Sequence, residues 1–317
     1  MNMLRLLSIL LLLVSATFVL AQTPRTVDEY GRRAVEREIK GDFDGAIDDY
    51  TKAIELKPAP RDLAALYYNR ANAKLNKNDL DGAIADYGKA IEVQPNDHEN
   101  YYNRGVALMN KGDYDGAIAD FSRAVEISPR FAMGFNNRAN ARKAKGDVDG
   151  ALSDYSKAID SDPKYVVAFY NRGAALQEKK DLDGAIRDYS AAISLAPRFT
   201  DAYVNRGGAR QAKGDLDGAI VDYDQAIGLK EDAGVYYARA TAKQAKKDLT
   251  GALADYSKTV QLDPNSAQAY ANRAVIEAEQ GRNSDALRDF ASAFKLDPSL
   301  RARFKDFIQG KLHTSVP

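Results

Sequence analysis

One phrase recurs eight times along this chain, and that recurrence limits the possible folds more than any other feature. It reads Gly41-Asp-Phe-Asp-Gly-Ala-Ile-Asp-Asp-Tyr50, then Gly112-Asp-Tyr-Asp-Gly-Ala-Ile-Ala-Asp-Phe121, then Gly214-Asp-Leu-Asp-Gly-Ala-Ile-Val-Asp-Tyr223. The Ala inside the phrase falls at Ala46, Ala83, Ala117, Ala151, Ala185, Ala219, Ala252 and Ala286, at spacings of 37, 34, 34, 34, 34, 33 and 34 residues. A constant period of about 20–50 residues marks a solenoid, in which each unit buries its apolar face only against its neighbours.

Each unit reads as two helices. In the second, Ala117, Ile118, Phe121, Ala124 and Val125 form a one-sided stripe at helical spacing. A proline closes that helix at Pro58, Pro95, Pro129, Pro163, Pro197, Pro264 and Pro298, because proline cannot continue it. The first helix shows the same spacing at Tyr101, Gly105 and Leu108. It stops at Gly41, Gly112, Gly146, Gly214 or Gly281, the residue type that tolerates a left-handed C-cap. Asn78 is a tolerable substitute, whereas Lys180 and Lys247 are expected to be strained or differently capped. The following Asp, such as Asp113, is a natural N-cap for the second helix. Thr26-Val-Asp-Glu29 has the spacing of a capping box and starts the first helix.

These residues resemble the tetratricopeptide repeat (TPR) family, with its 34-residue helix-turn-helix and its Ala-x3-aromatic pattern closed by Pro. The resemblance covers residues 27–300 as eight tandem repeats. Three extra residues around Ala59-Pro-Arg-Asp62 and one missing near Lys230-Glu231 are expected to kink the stacking locally. The resemblance implies an all-α, right-handed superhelical solenoid of eight TPR units, with first helices lining a concave groove. One departure from the family is systematic. Where the family has Leu in the first helix, this chain has Arg33, Arg70, Arg104, Arg138, Arg172, Arg206, Arg239 and Arg273. A capping helix follows Pro298, with Ser299 as its cap and Leu300, Phe304, Phe307 and Ile308 as its apolar face. Residues 301–317 are assigned to the rest of that helix and, from Lys311, a mobile tail without pattern.

The first 21 residues stand apart. Met1 to Arg5 is a short positive start, Leu6 to Val14 is almost wholly apolar, and Val19-Leu-Ala21 fits the small-residue rule before a cleavage point. The apolar run is short for a bilayer span of about 20 residues. Residues 1–21 therefore read as an export signal, cut between Ala21 and Gln22, with residues 22–26 as a lead into the repeats. An uncleaved membrane anchor is the alternative, and cleavage would leave no attachment to a membrane. The expected location is periplasmic or secreted.

Composition closes off several kinds of chemistry. The chain has 45 Lys plus Arg against 45 Asp plus Glu, which argues against a nucleic-acid clamp. It has no Cys, so thiolate metal sites, disulfides and Cys nucleophiles are excluded. Its two histidines, His98 and His313, are far apart in sequence. Asp-x-Asp-Gly, as in Asp42-Phe-Asp-Gly45, shares its opening with an EF-hand loop, but the twelfth position, which needs Glu, is Ala53. Helix capping is the better reading. The carboxylates recur in register in every unit, with no single departure that would mark a catalytic pair. The chain therefore reads as no enzyme, with no metal and no cofactor.

Three repeated positions remain as candidates. Each Arg has an Asp sixteen residues later, in the second helix. Four of these pairs are Arg70 with Asp86, Arg104 with Asp120, Arg138 with Asp154, and Arg172 with Asp188. A partly buried guanidinium needs a partner and its planar fork suits a carboxylate; whether that partner lies in the same repeat or the next is open. The residue before the Arg is Asn69, Asn103, Asn137, Asn171, Asn205 or Asn272, interrupted by Ala238 and replaced by Arg32 at the start. An amide offers the donor and acceptor that a peptide main chain needs, and the row resembles the peptide-gripping Asn rows of some TPR proteins. Internal bonding of each Asn to a neighbouring helix is the alternative. The carboxylate-clamp TPRs also need Lys before this row, where Tyr68, Tyr102, Asn136, Tyr170 and Val204 stand instead.

Aromatic residues divide into two sets. Tyr30, Tyr67, Tyr101, Phe135, Phe169, Tyr203, Tyr236 and Tyr270 have core spacing, as do Tyr50 and its equivalents. Tyr68, Tyr102, Tyr170 and Tyr237 lie about 100° further round the helix, open equally to ligand contact and inter-repeat packing. The expected function is a non-catalytic protein-protein interaction scaffold that binds an extended polypeptide segment. The alternative is a structural protein that self-associates or joins an envelope complex.

Overall fold

The computed structural model of the protein describes residues 25–312. The expected cleavage point after Ala21 and tail residues 313–317 lie outside the described residues. Among those described there are seventeen α-helices and no strand. They run as eight successive pairs. The pairs are α1 (Val27–Ile39) with α2 (Phe43–Glu55), α3 (Pro60–Asn76) with α4 (Leu80–Val93), α5 (His98–Lys111) with α6 (Tyr114–Ile127), and α7 (Ala132–Ala144) with α8 (Val148–Ser161). Then come α9 (Val166–Glu178) with α10 (Leu182–Leu195), α11 (Thr200–Lys213) with α12 (Leu216–Leu229), α13 (Ala233–Ala245) with α14 (Leu249–Leu262), and α15 (Ala267–Glu279) with α16 (Asn283–Leu296). A single helix, α17 (Leu300–Leu312), closes the series. The chain divides into two compact units, one ending at Ala141 and one beginning at Arg142. Inside each, successive helices pack in chain order.

Local chemistry sets the helix ends. Thr26 and Glu29 form the reciprocal capping box at α1. Seven second helices start on an Asp, from Asp42 to Asp248, whose Oδ1 accepts the N–H of the Gly three residues on at 2.9–3.0 Å. The Gly is required by closeness rather than by its dihedrals: a Cβ on Gly45 would sit 2.2 Å from Asp42 Oδ2. The first helices end on a residue with positive φ. Lys180 and Lys247 adopt the same left-handed conformation as the glycines, at φ 63° and 69°. They are strained and not differently capped.

Other expectations are corrected here. The three-residue insertion is absorbed by helix: α3 has 17 residues where its counterparts have 13 or 14, with Pro60 in its first turn and Lys57 at φ 54° before it. At the deletion, Asp232 caps α13 by accepting from Gly234 and Val235 N–H. The last helix runs on to Leu312, which is buried in the cluster formed with α15 and α16, so Lys311 and Leu312 belong to the cap and not to the tail. Ser299 turns away from that helix, its hydroxyl donating to Asp297.

In each unit the core is built of small and ring side chains. The eight repeat alanines are fully buried, and their size lets paired helices approach closely. Tyr50, Tyr87, Phe121, Tyr155, Tyr189, Tyr223, Tyr256 and Phe290 are at most 2% exposed. Each such ring contributes about 1.5–3 kcal/mol by leaving water. The other aromatic set is less deep than its spacing suggested. Tyr30, Tyr67, Tyr101, Phe169, Tyr203 and Tyr270 are half-buried, while Phe135 and Tyr236 are buried.

Candidate functional site

The Arg row explains where those half-buried rings sit. All eight guanidinium groups lie over the ring three residues earlier in the same helix, from Arg33 over Tyr30 to Arg273 over Tyr270, at 5.3–5.9 Å. Each ring is covered by a cation on one side, a favourable stack for a planar guanidinium.

Below the ring row, the fork meets a carboxylate. Arg33, Arg70, Arg104, Arg172, Arg206, Arg239 and Arg273 each donate Nε and Nη2 to the two oxygens of the Asp sixteen residues on, at 2.5–3.0 Å. The partner is in the same repeat. The acids are buried, Asp188 being 6% exposed. Hydrogen bonding to the acid raises the Arg104, Arg172 and Arg273 guanidinium above its ordinary range, against the opposing pull of burial.

The remaining nitrogen reaches the repeat before. Nη1 of Arg70, Arg138, Arg172, Arg206 and Arg273 donates to Thr51, Ser122, Ser156, Ser190 and Ser257 at 2.9–3.2 Å. Arg138 is itself buried, and Asp154 accepts from Arg142 at 2.7 Å. A second base four residues after the Arg reaches the same acid in other repeats: Arg37 on Asp49, Lys74 on Asp86, Arg210 on Asp222 and Lys243 on Asp255. Leu108 and Leu176 stand there in the repeats of Arg104 and Arg172, leaving Asp120 and Asp188 with one base each. Sequence reading missed both the hydroxyl and the second base. Their only signal was positional recurrence across repeats.

The Asn row is tied to the Tyr row one repeat earlier. Nδ2 of Asn103, Asn137, Asn205 and Asn272 donates to the hydroxyl of Tyr68, Tyr102, Tyr170 and Tyr237 at 2.9–3.0 Å. Each of these Tyr rings also packs against the core ring of its own repeat, at 5.7–5.9 Å from Tyr87, Phe121, Tyr189 and Tyr256. The Tyr side chains thus bridge repeats, and burial pushes the phenols of Tyr68, Tyr102 and Tyr170 up. The coupling explains the break in the row. Ala238 stands where the residue one repeat back is Val204, and both pack into the same apolar cluster. Asn171 is half-buried in the same row. Asn69 makes no hydrogen bond among the described residues; Gly31 stands where its Tyr would be. One half of the amide remains: Oδ1 of Asn103, Asn205 and Asn272 has no partner among the described residues, while Asn137 Oδ1 accepts from Asn136.

A further row links exposed loops. Lys77, Lys111, Lys179, Lys213 and Lys246, at the ends of first helices, pair with Asp44, Asp81, Asp149, Asp183 and Asp217 of the preceding turn. These are the second acids of Asp-x-Asp-Gly, so both acids of the motif have a structural role in these repeats. Among the described residues no group of three or more His, Asp or Glu side chains is arranged to hold a metal, and no helix is long and apolar enough to cross a membrane.

Comparison with known proteins agrees with this architecture. Family models described as tetratricopeptide repeat or TPR repeat match residues 30–60, 68–130, 139–180, 166–199, 200–232 and 237–300. No curated protein matches the chain. Among solved structures, the C-terminal part of a TPR repeat-containing protein from Cytophaga hutchinsonii superposes with a TM-score of 0.63 at 20% identity, covering 75% of this chain and 97% of that one. A tetratricopeptide repeat protein from Parabacteroides merdae gives 0.58 at 20% identity, covering 77% and 95%. YrrB, described as a TPR protein with an unusual peptide-binding site, gives 0.52 at 22% identity, covering 58% and 95%.

Proposed function

Because the chain belongs to the tetratricopeptide repeat family, whose members are generally non-catalytic scaffolds for protein-protein interaction, we propose that it binds an extended polypeptide segment along the face of its first helices, outside the cytoplasm. One observation carries the reading. The Asn row spends its donor on the preceding repeat and keeps its acceptor: Asn103 in the first unit, and Asn205 and Asn272 in the second, hold Oδ1 without a partner among the described residues. A carbonyl oxygen recurring on successive first helices accepts main-chain N–H groups whatever the side chains are. The Tyr hydroxyls hold these amides in one orientation, so little side-chain freedom is lost on binding. Export is supported by Arg5, the apolar run after it and Val19-Leu-Ala21.

Crosslinking of the protein in the cells that produce it, followed by identification of what is attached, tests the reading. A polypeptide partner is expected. Its affinity should fall about 25-fold for Asn205→Ala with Asn272→Ala, about five-fold for each hydrogen bond lost. Unchanged affinity together with lost stability would make the row purely structural. N-terminal sequencing of the natural product should begin at Gln22; an intact Met1 in the membrane fraction would replace export by anchoring.

A further inference from the structure

The first repeat lacks one side chain that its neighbours supply. Repeats two, three, five and seven each place a Tyr (Tyr68, Tyr102, Tyr170, Tyr237) at a steep tilt, 50–65° between planes, against the core ring of the second helix and under the Asn of the next repeat. The equivalent residue in the first repeat is Gly31. A Cβ built on it would meet no atom within 4 Å. An open cavity of about 860 Å³ occupies the place, between α1 and α3, lined by Val27, Val35, Tyr50, Leu66 and Asn69.

The amide that a Tyr would meet there makes no other hydrogen bond among the described residues. Asn69 is retained although its internal partner is gone, in contrast to Ala238, which is apolar where its partner is Val204. Tyr50, 1% exposed, is the core ring beneath. Its counterparts Tyr189, Tyr223 and Tyr256 donate to Gln177, Gln211 and Gln244. Here the residue twelve positions earlier is Glu38, which faces the Tyr50 hydroxyl and, after burial, pushes that phenol up.

We infer that this cavity takes the phenol ring of a tyrosine in the bound polypeptide, packed at a tilt on Tyr50 with its hydroxyl accepting from Asn69 Nδ2. The inference rests on the scaffold reading above and names a side chain for its ligand. The chain itself supplies the template, since four of its own repeats already hold a tyrosine in that setting. The rim sets the flanking residues. Asp28, Glu36 and Asp62 face the opening against the single base Arg32, so a tyrosine beside Lys or Arg suits it and a phosphorylated tyrosine does not.

The test uses the purified full chain and three short peptides: a central tyrosine between lysines, its phenylalanine counterpart and its phosphotyrosine counterpart. Tyrosine is expected to bind about five-fold more tightly than phenylalanine, as one amide-hydroxyl hydrogen bond provides, with phosphotyrosine the weakest. In Asn69→Ala the tyrosine and phenylalanine affinities should become equal. Gly31→Tyr should fill the cavity with the protein's own ring, raise the melting temperature and abolish binding of all three peptides. Equal affinity for tyrosine and phenylalanine in the unaltered protein, no binding of the tyrosine peptide, or binding that survives Gly31→Tyr would overturn the inference. A partner crosslinked in cells that binds the unaltered protein and Gly31→Tyr alike would sink the phenol site and leave the scaffold reading standing. Absence of any polypeptide partner would remove that reading itself.

Discussion

Removing Arg172 and removing Arg206 should have unequal costs, although the two side chains are near copies. Each donates two hydrogen bonds to an Asp, one to a serine of the preceding repeat, and covers an aromatic ring. Alanine removes all of this from both. The difference lies in the acid left behind. Asp222 keeps Arg210 at 2.8 Å, whereas Asp188 has Leu176 where that base would be. Breaking a buried pair costs about 3–5 kcal/mol when a charge is stranded. With the Arg172 side chain 24% exposed, solvent reduces that to about 2–3 kcal/mol. For Arg206→Ala about 1.5 kcal/mol is expected, the low end for hydrogen bonds to a charged group, because the acid stays paired. Because repeat arrays need not unfold in one step, urea denaturation should be paired with native-state hydrogen exchange on α9 to α12. Asp188→Asn added to Arg172→Ala should restore at least half of the loss, since it removes the stranded charge. Equal costs for the two arginines, or no rescue by Asp188→Asn, would refute the reasoning.

Three further outcomes are expected. Gly88 occupies the place of the serine that receives Nη1 in other repeats, and a Cβ on it would lie 3.7 Å from Arg104 Nη1; Gly88→Ser should therefore raise stability by about 1 kcal/mol in denaturant titrations, from better helix propensity and a new hydrogen bond. Lys180→Gly should stabilise by about 0.5–1 kcal/mol in thermal melts, because φ is 63° there and a Cβ is disfavoured. Glu277 is 7% exposed with Oε2 lacking a partner, and burial, then the nearby Asp289, raise its carboxyl above the usual range. The folded state thus holds the proton to higher pH than the unfolded state does, so stability falls as pH rises between the two values. Glu277→Gln should accordingly stabilise at pH 7 and lose that advantage toward pH 4, as paired melts at the two pH values would show.

The helices and their ends were legible in the sequence because they are set by neighbours in the chain. Asp113 caps α6 through Gly116, three residues away, and Thr26 and Glu29 close their box over the same distance. A period of about 34 residues then repeats the same short-range decisions, so the number of repeats followed from counting. Where a local rule met a tertiary demand, the demand prevailed. Lys180 takes a glycine conformation because its neighbours require that turn, the insertion before α3 became helix, and Leu312 was held by packing in the cluster with α15 and α16 where no sequence pattern announced it. What only the tertiary structure decided are contacts between residues 16 to 35 positions apart. The Arg fork closing on the acid of its own repeat, its last nitrogen crossing to the repeat before, and the Asn amides oriented by Tyr hydroxyls all depend on the rotation between stacked helices. Sequence spacing fixes the angle of a side chain around its own helix, but not which atom of the next helix it will meet.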